Sequence, residues 1–89
     1  MTTTIERTVS DGGQTSCFIK SKFGKIAVSR LFSTDGETLK PATVNWGGGL
    51  SEDNENLSWF IAAMRKAQSE AAKMNVGIFV AQAEETIDL

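Results

Sequence analysis

The side chains with which this chain could do chemistry are one cysteine, eleven carboxylates and nine Lys/Arg, with no histidine and no tyrosine. Without histidine, Ser–His and Cys–His nucleophile pairs cannot form, and the commonest general base near neutral pH is lacking. The expectation is therefore a protein that is not an enzyme. Cys17 sits in the apolar run Cys17-Phe18-Ile19 and reads as a small buried hydrophobe rather than a reactive thiol. Asp35 and Glu37 flank a turn, and Glu52, Asp53 and Glu55 gather at a helix start, so turn and dipole chemistry account for both sets. A zinc site would need ligands from several chains. The oxygen-rich Ser51-Glu-Asp-Asn-Glu-Asn lacks the spacing and the twelfth-position Glu of a calcium loop. No metal and no cofactor is expected.

The stretch from Val44 to Asn56, VNWGGGLSEDNEN, joins a strand, a glycine-rich turn and a helix start, the mechanical parts of an anion cradle. It has neither Gly-Lys-Ser/Thr nor Gly-x-Gly-x-x-Gly. Glu52, Asp53 and Glu55 would also place negative charge where a phosphate would sit. The glycines read as a turn, and the acids beyond them as a surface for a basic partner.

Lys20, Lys22, Lys25, Arg30 and Lys40 are interleaved with Phe18, Phe23 and Phe32. Cations for a phosphate backbone and flat rings for bases are what single strands require. The structural alternative puts the phenylalanines in the core and the lysines at soluble strand edges. Trp59 shares a helix side with Ala62, Ala63 and Lys66. That placement fits either contact with a partner or packing against a loop or the last strand.

These residues need elements to hold them. Ile5–Ser10, Thr15–Ser21 and Lys25–Ser33 have strand composition and are bounded by glycines. In the third, Ile26, Val28 and Phe32 share one parity, interrupted by Arg30. Asp35-Gly36 predicts a two-residue hairpin turn into a fourth strand over Leu39–Trp46, with Pro41 at its start or at a sheet edge. Leu57, Phe60, Ile61, Met64, Ala67, Ala71 and Met74 predict a helix stripe packed on the sheet, capped by Ser51 and ended near Asn75. Val76–Gln82 reads as a last strand, closing the sheet or pairing with another subunit, and 84–89 as a mobile acidic tail. The order β-β-β-β-α-β predicts an α+β fold: an antiparallel sheet of four to five strands covered on one face by a single long helix.

Eighty-nine residues form one domain with a small core, which dimerisation would supplement. Charge is uneven: residues 1–50 carry six Lys/Arg against four Asp/Glu, and residues 51–89 three against seven. No apolar run approaches a membrane span and the N-terminus is unlike a signal peptide. With a single cysteine, this predicts a cytoplasmic protein that does not enter a membrane.

Phe23-Gly-Lys-Ile-Ala-Val, then Asp35-Gly-Glu-x-x-Lys-Pro41, then a strand and a Trp-containing helix, resembles the PC4 family of single-stranded-DNA-binding transcriptional coactivators over about half the chain. The resemblance implies a homodimer of four antiparallel strands and a helix, with Lys22, Lys25, Arg30 and Lys40 as DNA contacts. The overall acidity, Gly47-Gly48-Gly49, the longer helix and the extra strand depart from that family. In profile rather than motif, a tiny acidic chain without catalytic equipment also resembles phage accessory inhibitors such as anti-CRISPR proteins. That resemblance implies blocking of a nucleic-acid-handling host complex through Glu52, Asp53, Glu55 and Trp59. The inhibitor is the leading expectation, and PC4-like single-stranded-DNA binding the alternative.

Overall fold

A computed structural model describes residues 2–47 and 54–89, with side chains described in the helix from Asn56 onward. The chain builds β1 (Thr2–Val9), β2 (Thr15–Ser21), β3 (Gly24–Arg30), β4 (Thr43–Trp46), α1 (Asn54–Asn75) and β5 (Gln82–Asp88). Every strand pair is antiparallel, in the order β4-β3-β2-β1-β5. This is the expected α+β arrangement of a five-stranded sheet and one helix. No helix among the described residues is long and apolar enough to cross a membrane.

Because side chains alternate along a strand, the register sorts the sheet into cross-strand rows. Ile5, Ile19, Ile26 and Trp46 make one row, Arg7, Cys17, Val28 and Val44 the next, and Val9, Thr15 and Arg30 a third. These rows face α1. Trp59, Ala63, Ala67 and Met74 of the helix join Ile5, Cys17, Ile19, Ile26 and Val28 in one core. The intervening residues, Thr4, Glu6 and Thr8 of β1 with Phe18, Lys20, Lys25 and Ala27, lie on the opposite face. The molecule measures 17 Å along its shortest axis, room for one sheet and one helix layer.

The buried stripe of α1 is rotated from the one expected. Trp59, Ala63, Ala67, Glu70 and Met74 are buried, whereas Leu57 and Ile61 are 39% and 46% exposed. Ala63 and Ala67 have side chains small enough to bring the helix axis close to the sheet. The rotation turns a carboxylate, Glu70, fully inward. Arg7 of β1 meets it, donating from Nε to Glu70 Oε1 at 2.9 Å and from Nη2 to the same oxygen. Arg7 Nη1 donates to Gln82 Oε1 at 2.7 Å and to Glu85 Oε1 at 2.9 Å. One guanidinium thus ties α1, β1 and β5 together. Its hydrogen bond to Glu70 raises its affinity for the proton further, against the opposing effect of burial. Lys66 and Lys73 approach Glu70 at 3.8 and 3.9 Å.

Two boundaries differ from expectation for identifiable reasons. The turn after β3 is wider than a two-residue hairpin. It is closed by Ser33 N–H donating to Thr38 O at 2.7 Å, and is filled by Asp35, whose Oδ1 accepts from Ser33 Oγ and from the amides of Glu37 and Thr38. These bonds, Ser33's foremost, hold the Asp35 carboxyl well below the usual carboxylate range. Beyond the turn only a Phe32–Leu39 bridge forms, and β4 begins at Thr43, past Pro41, which has no N–H for a ladder.

The last strand is also displaced. Val76–Ala81 is not a strand, and 84–89, expected to be a mobile tail, supplies most of β5. α1 ends beside β3 and β4, where Arg30 Nη1 donates to Met74 O at 3.0 Å and the Ala42 amide to Asn75 Oδ1 at 2.7 Å. β5 pairs with β1, at the opposite end of the sheet from β4, so residues 76–81 cross the sheet's end, leaving Val76, Ile78 and Val80 exposed. The helix ends at Asn75, as expected, and Gly77 just beyond it closes the end. At φ +77° it lets Ile78 N–H reach Lys73 O at 3.0 Å and its own N–H reach Met74 O at 3.3 Å, a Schellman cap.

Removing one member of a buried ion pair strands the other charge, and Arg7 is the hydrogen-bonded partner of the fully buried Glu70, so Arg7→Met is expected to cost about 3–5 kcal/mol in urea unfolding. Arg7→Met/Glu70→Leu is expected to regain most of that loss. A double variant as unstable as the summed singles would contradict the coupling.

Candidate binding face

The face of the sheet away from α1 carries a compact group around Phe18, on the central strand. Phe18 pairs with Glu6 on one side and Ala27 on the other, and Ala27 with Asn45. In the adjoining row Thr86, Thr4, Lys20 and Lys25 are successive partners. Lys20 Nζ lies 5.8 Å and Lys25 Nζ 5.0 Å from the Phe18 ring centroid, within cation–π range. Two like charges directly opposite one another weaken a strand pair. The shared ring offsets part of that cost, and an anion laid across the pair would remove it.

The five basic residues expected to act together are divided. Lys20 and Lys25 share the open face. Lys22 stands in the β2–β3 turn with its ammonium 5.2 Å from the Phe23 ring. Arg30 is on the helix-facing side, donating to the carbonyls of Lys40 and Met74. Lys40 belongs to the connection before β4. The phenylalanines divide too: Phe23 packs against Trp59 with centroids 6.2 Å apart, and the Phe32 ring lies over Gly12, where an added Cβ would sit 3.0 Å from Cζ. Only Phe18 lies on the uncovered face.

Trp59, expected as a partner contact, is instead 2% exposed and packs in the core, its Nε1–H donating to Thr3 Oγ1 at 2.9 Å. The packing alternative is the one the chain adopts, because the rotated stripe turns this side of α1 inward. Glu52 and Asp53, and the Glu55 side chain, lie outside the described residues. Glu6, Thr4 and Asn45 beside Phe18 were not singled out by sequence, although the Thr-Thr-Ile-Glu-Arg-Thr alternation in β1 carries the signal. The Arg7–Glu70 pair had none, since an acid within an apolar stripe reads as an interruption.

Among the described residues no group of three or more His, Cys, Asp or Glu is placed to hold a metal ion. Cys17 is buried opposite Arg7. Burial, reinforced by the negative charge of Glu70, pushes its thiol up to about 11.

No family model, no curated protein and no solved structure matches this chain. What the face binds must be read from its own geometry.

A raised thiol pKa favours the protonated folded state. The associated stability is complete below the unfolded value near 9 and is lost as pH rises from there through about 11. Cys17 is expected to react with a thiol reagent at pH 8 only after denaturation, and Cys17→Ala to flatten the stability decline between these two values. Rapid labelling of the native protein would contradict the burial.

Proposed function

We propose that this chain is a non-enzymatic binding protein whose uncovered sheet face takes single-stranded nucleic acid. The observation that carries this reading is Phe18 on the central strand, with the Lys20 and Lys25 ammonium groups 5.8 and 5.0 Å from its ring centroid. A base needs a flat apolar partner and its phosphates need cations within reach, and both are supplied from one rigid face. Strands hold such groups more firmly than loops do. Asn45 and Thr4 add hydrogen-bonding groups at the margin. Glu6 and the acidic β5 border the patch on its other side, so a nucleic acid strand is steered along β2 and β3 rather than across to β5.

A second reading, an inhibitor that blocks a nucleic-acid-handling complex by presenting acids to a basic partner, draws on β5. This edge strand carries Glu84, Glu85 and Asp88. An unpaired strand edge rich in carboxylates suits a basic extended segment.

Fluorescence anisotropy with labelled oligothymidine at low salt separates the two readings. Binding is expected, with Phe18→Ala weakening it by about 1–3 kcal/mol for one lost stacking partner. Lys20→Gln/Lys25→Gln is expected to reduce the slope of log K against log salt by about 1.4, the value for two phosphate contacts to a single strand. No binding at micromolar protein would overturn the nucleic-acid reading and favour the acidic edge. An unchanged slope in the double lysine variant would place any binding elsewhere.

A further inference from the structure

A second feature lies on the helix side of the sheet, at the end where α1 stops. Val9, Thr15 and Arg30, successive partners across three strands, floor a cleft of about 240 Å³ walled by Leu39, Met74 and Phe79. Most of the lining is apolar. Two polar groups interrupt it, side by side on the floor. Arg30 is anchored there by its hydrogen bonds from Nε to Lys40 O and from Nη1 to Met74 O, both 3.0 Å. Its positive charge is therefore held at a fixed place without a carboxylate bound to it in either contact. Thr15 is 7% exposed, and its Oγ1 is buried without a hydrogen-bond partner.

A buried hydroxyl without a partner is a standing cost to the fold, and apolar packing alone would be served better by valine at this position. A fixed cation beside an unpaired hydroxyl donor, at the base of an apolar cleft, is complementary to an anionic oxygen on a hydrocarbon body. The volume falls below the roughly 300–1,000 Å³ of clefts that take drug-sized ligands, which limits the body to a short chain. We propose that this cleft binds a small aliphatic monocarboxylate. The carboxylate lies between the Arg30 guanidinium and the Thr15 hydroxyl, and the chain runs along Val9, Leu39 and Phe79. The site is on the opposite side of the sheet from Phe18, so occupation of one does not cover the other.

Titration of the full chain with hexanoate, followed by amide nitrogen–proton NMR, tests this. Saturable shifts are expected at Val9, Thr15, Gly77 and Phe79. 1-Hexanol, with the same body and no charge, should bind about tenfold more weakly, as should hexanoate to Thr15→Val, from the loss of a hydrogen bond to a charged group. Thr15→Val keeps the side chain's shape, and a melting temperature equal to or above that of the parent chain shows that lost binding is not lost folding. Arg30→Gln gives a second arm, with hexanoate weakened and 1-hexanol unchanged. The proposal is overturned if hexanoate gives no saturable shift, if 1-hexanol binds as tightly, or if Thr15→Val binds hexanoate like the parent chain.

Discussion

The structure turns on one charged contact inside an otherwise apolar layer, the Glu70 carboxylate buried beneath the Arg7 guanidinium. A lone buried carboxylate would be very costly, so α1 can seat Glu70 inward only where β1 presents a guanidinium. This requirement fixes the rotation of the helix about its axis more narrowly than hydrophobicity could, because Leu57 and Ile61 would serve an apolar interface equally well. With Glu70 inward, Trp59, Ala63, Ala67 and Met74 must also be inward. The remaining nitrogen of Arg7 then sets the position of β5 through Gln82 and Glu85. The register of β5 against β1 shifts between Ile5 and Arg7, a bulge at the place where both side chains must reach the same guanidinium.

The open face follows from the same contact. Once the side of the sheet carrying Ile5, Arg7, Cys17 and Ile19 is committed to α1, the alternation of the strands leaves Thr4, Glu6, Phe18, Lys20 and Lys25 on the other side, with no layer among the described elements to cover them. The chain has one helix to spend among its described elements, and it spends it on the side where Arg7 stands. The two candidate sites thus have different origins. The Phe18 group is what the sheet presents when one face goes uncovered. The Thr15–Arg30 cleft forms where the helix ends before the sheet does and the 76–81 crossing bridges the gap.

Much of the fold was legible in the sequence. Alternation placed β1, β2 and β3 within a few residues, and the period of α1 with its Gly-rich approach placed the helix. The failures share a cause. Asp35 captures three donors through its side chain and widens a turn that Asp-Gly alone would have made tight. Val76-Gly-Ile-Phe-Val has the better strand composition, yet it is taken up by the crossing from the helix end, beside β3 and β4, to the β1 edge. Gln-Ala-Glu-Glu-Thr-Ile-Asp takes the edge instead. In each case a side-chain hydrogen bond or a distance in three dimensions decided between local options that composition could not rank. The site was less legible than the fold. A spread of basic residues was visible, but only the register brings Lys20 and Lys25 together beside Phe18 and sends Arg30 to the opposite side.

The central claim is that the face opposite α1, rather than the helix or the acidic edge, meets nucleic acid. The most direct measurement is the set of backbone amide NMR shifts on adding short unlabelled oligothymidine at low salt. The account predicts progressive changes concentrated at Phe18 to Lys20 of β2 and Lys25 to Ala27 of β3, with α1 from Ala63 to Met74 unmoved. Changes confined to α1 or to β5, or none at all, would contradict it.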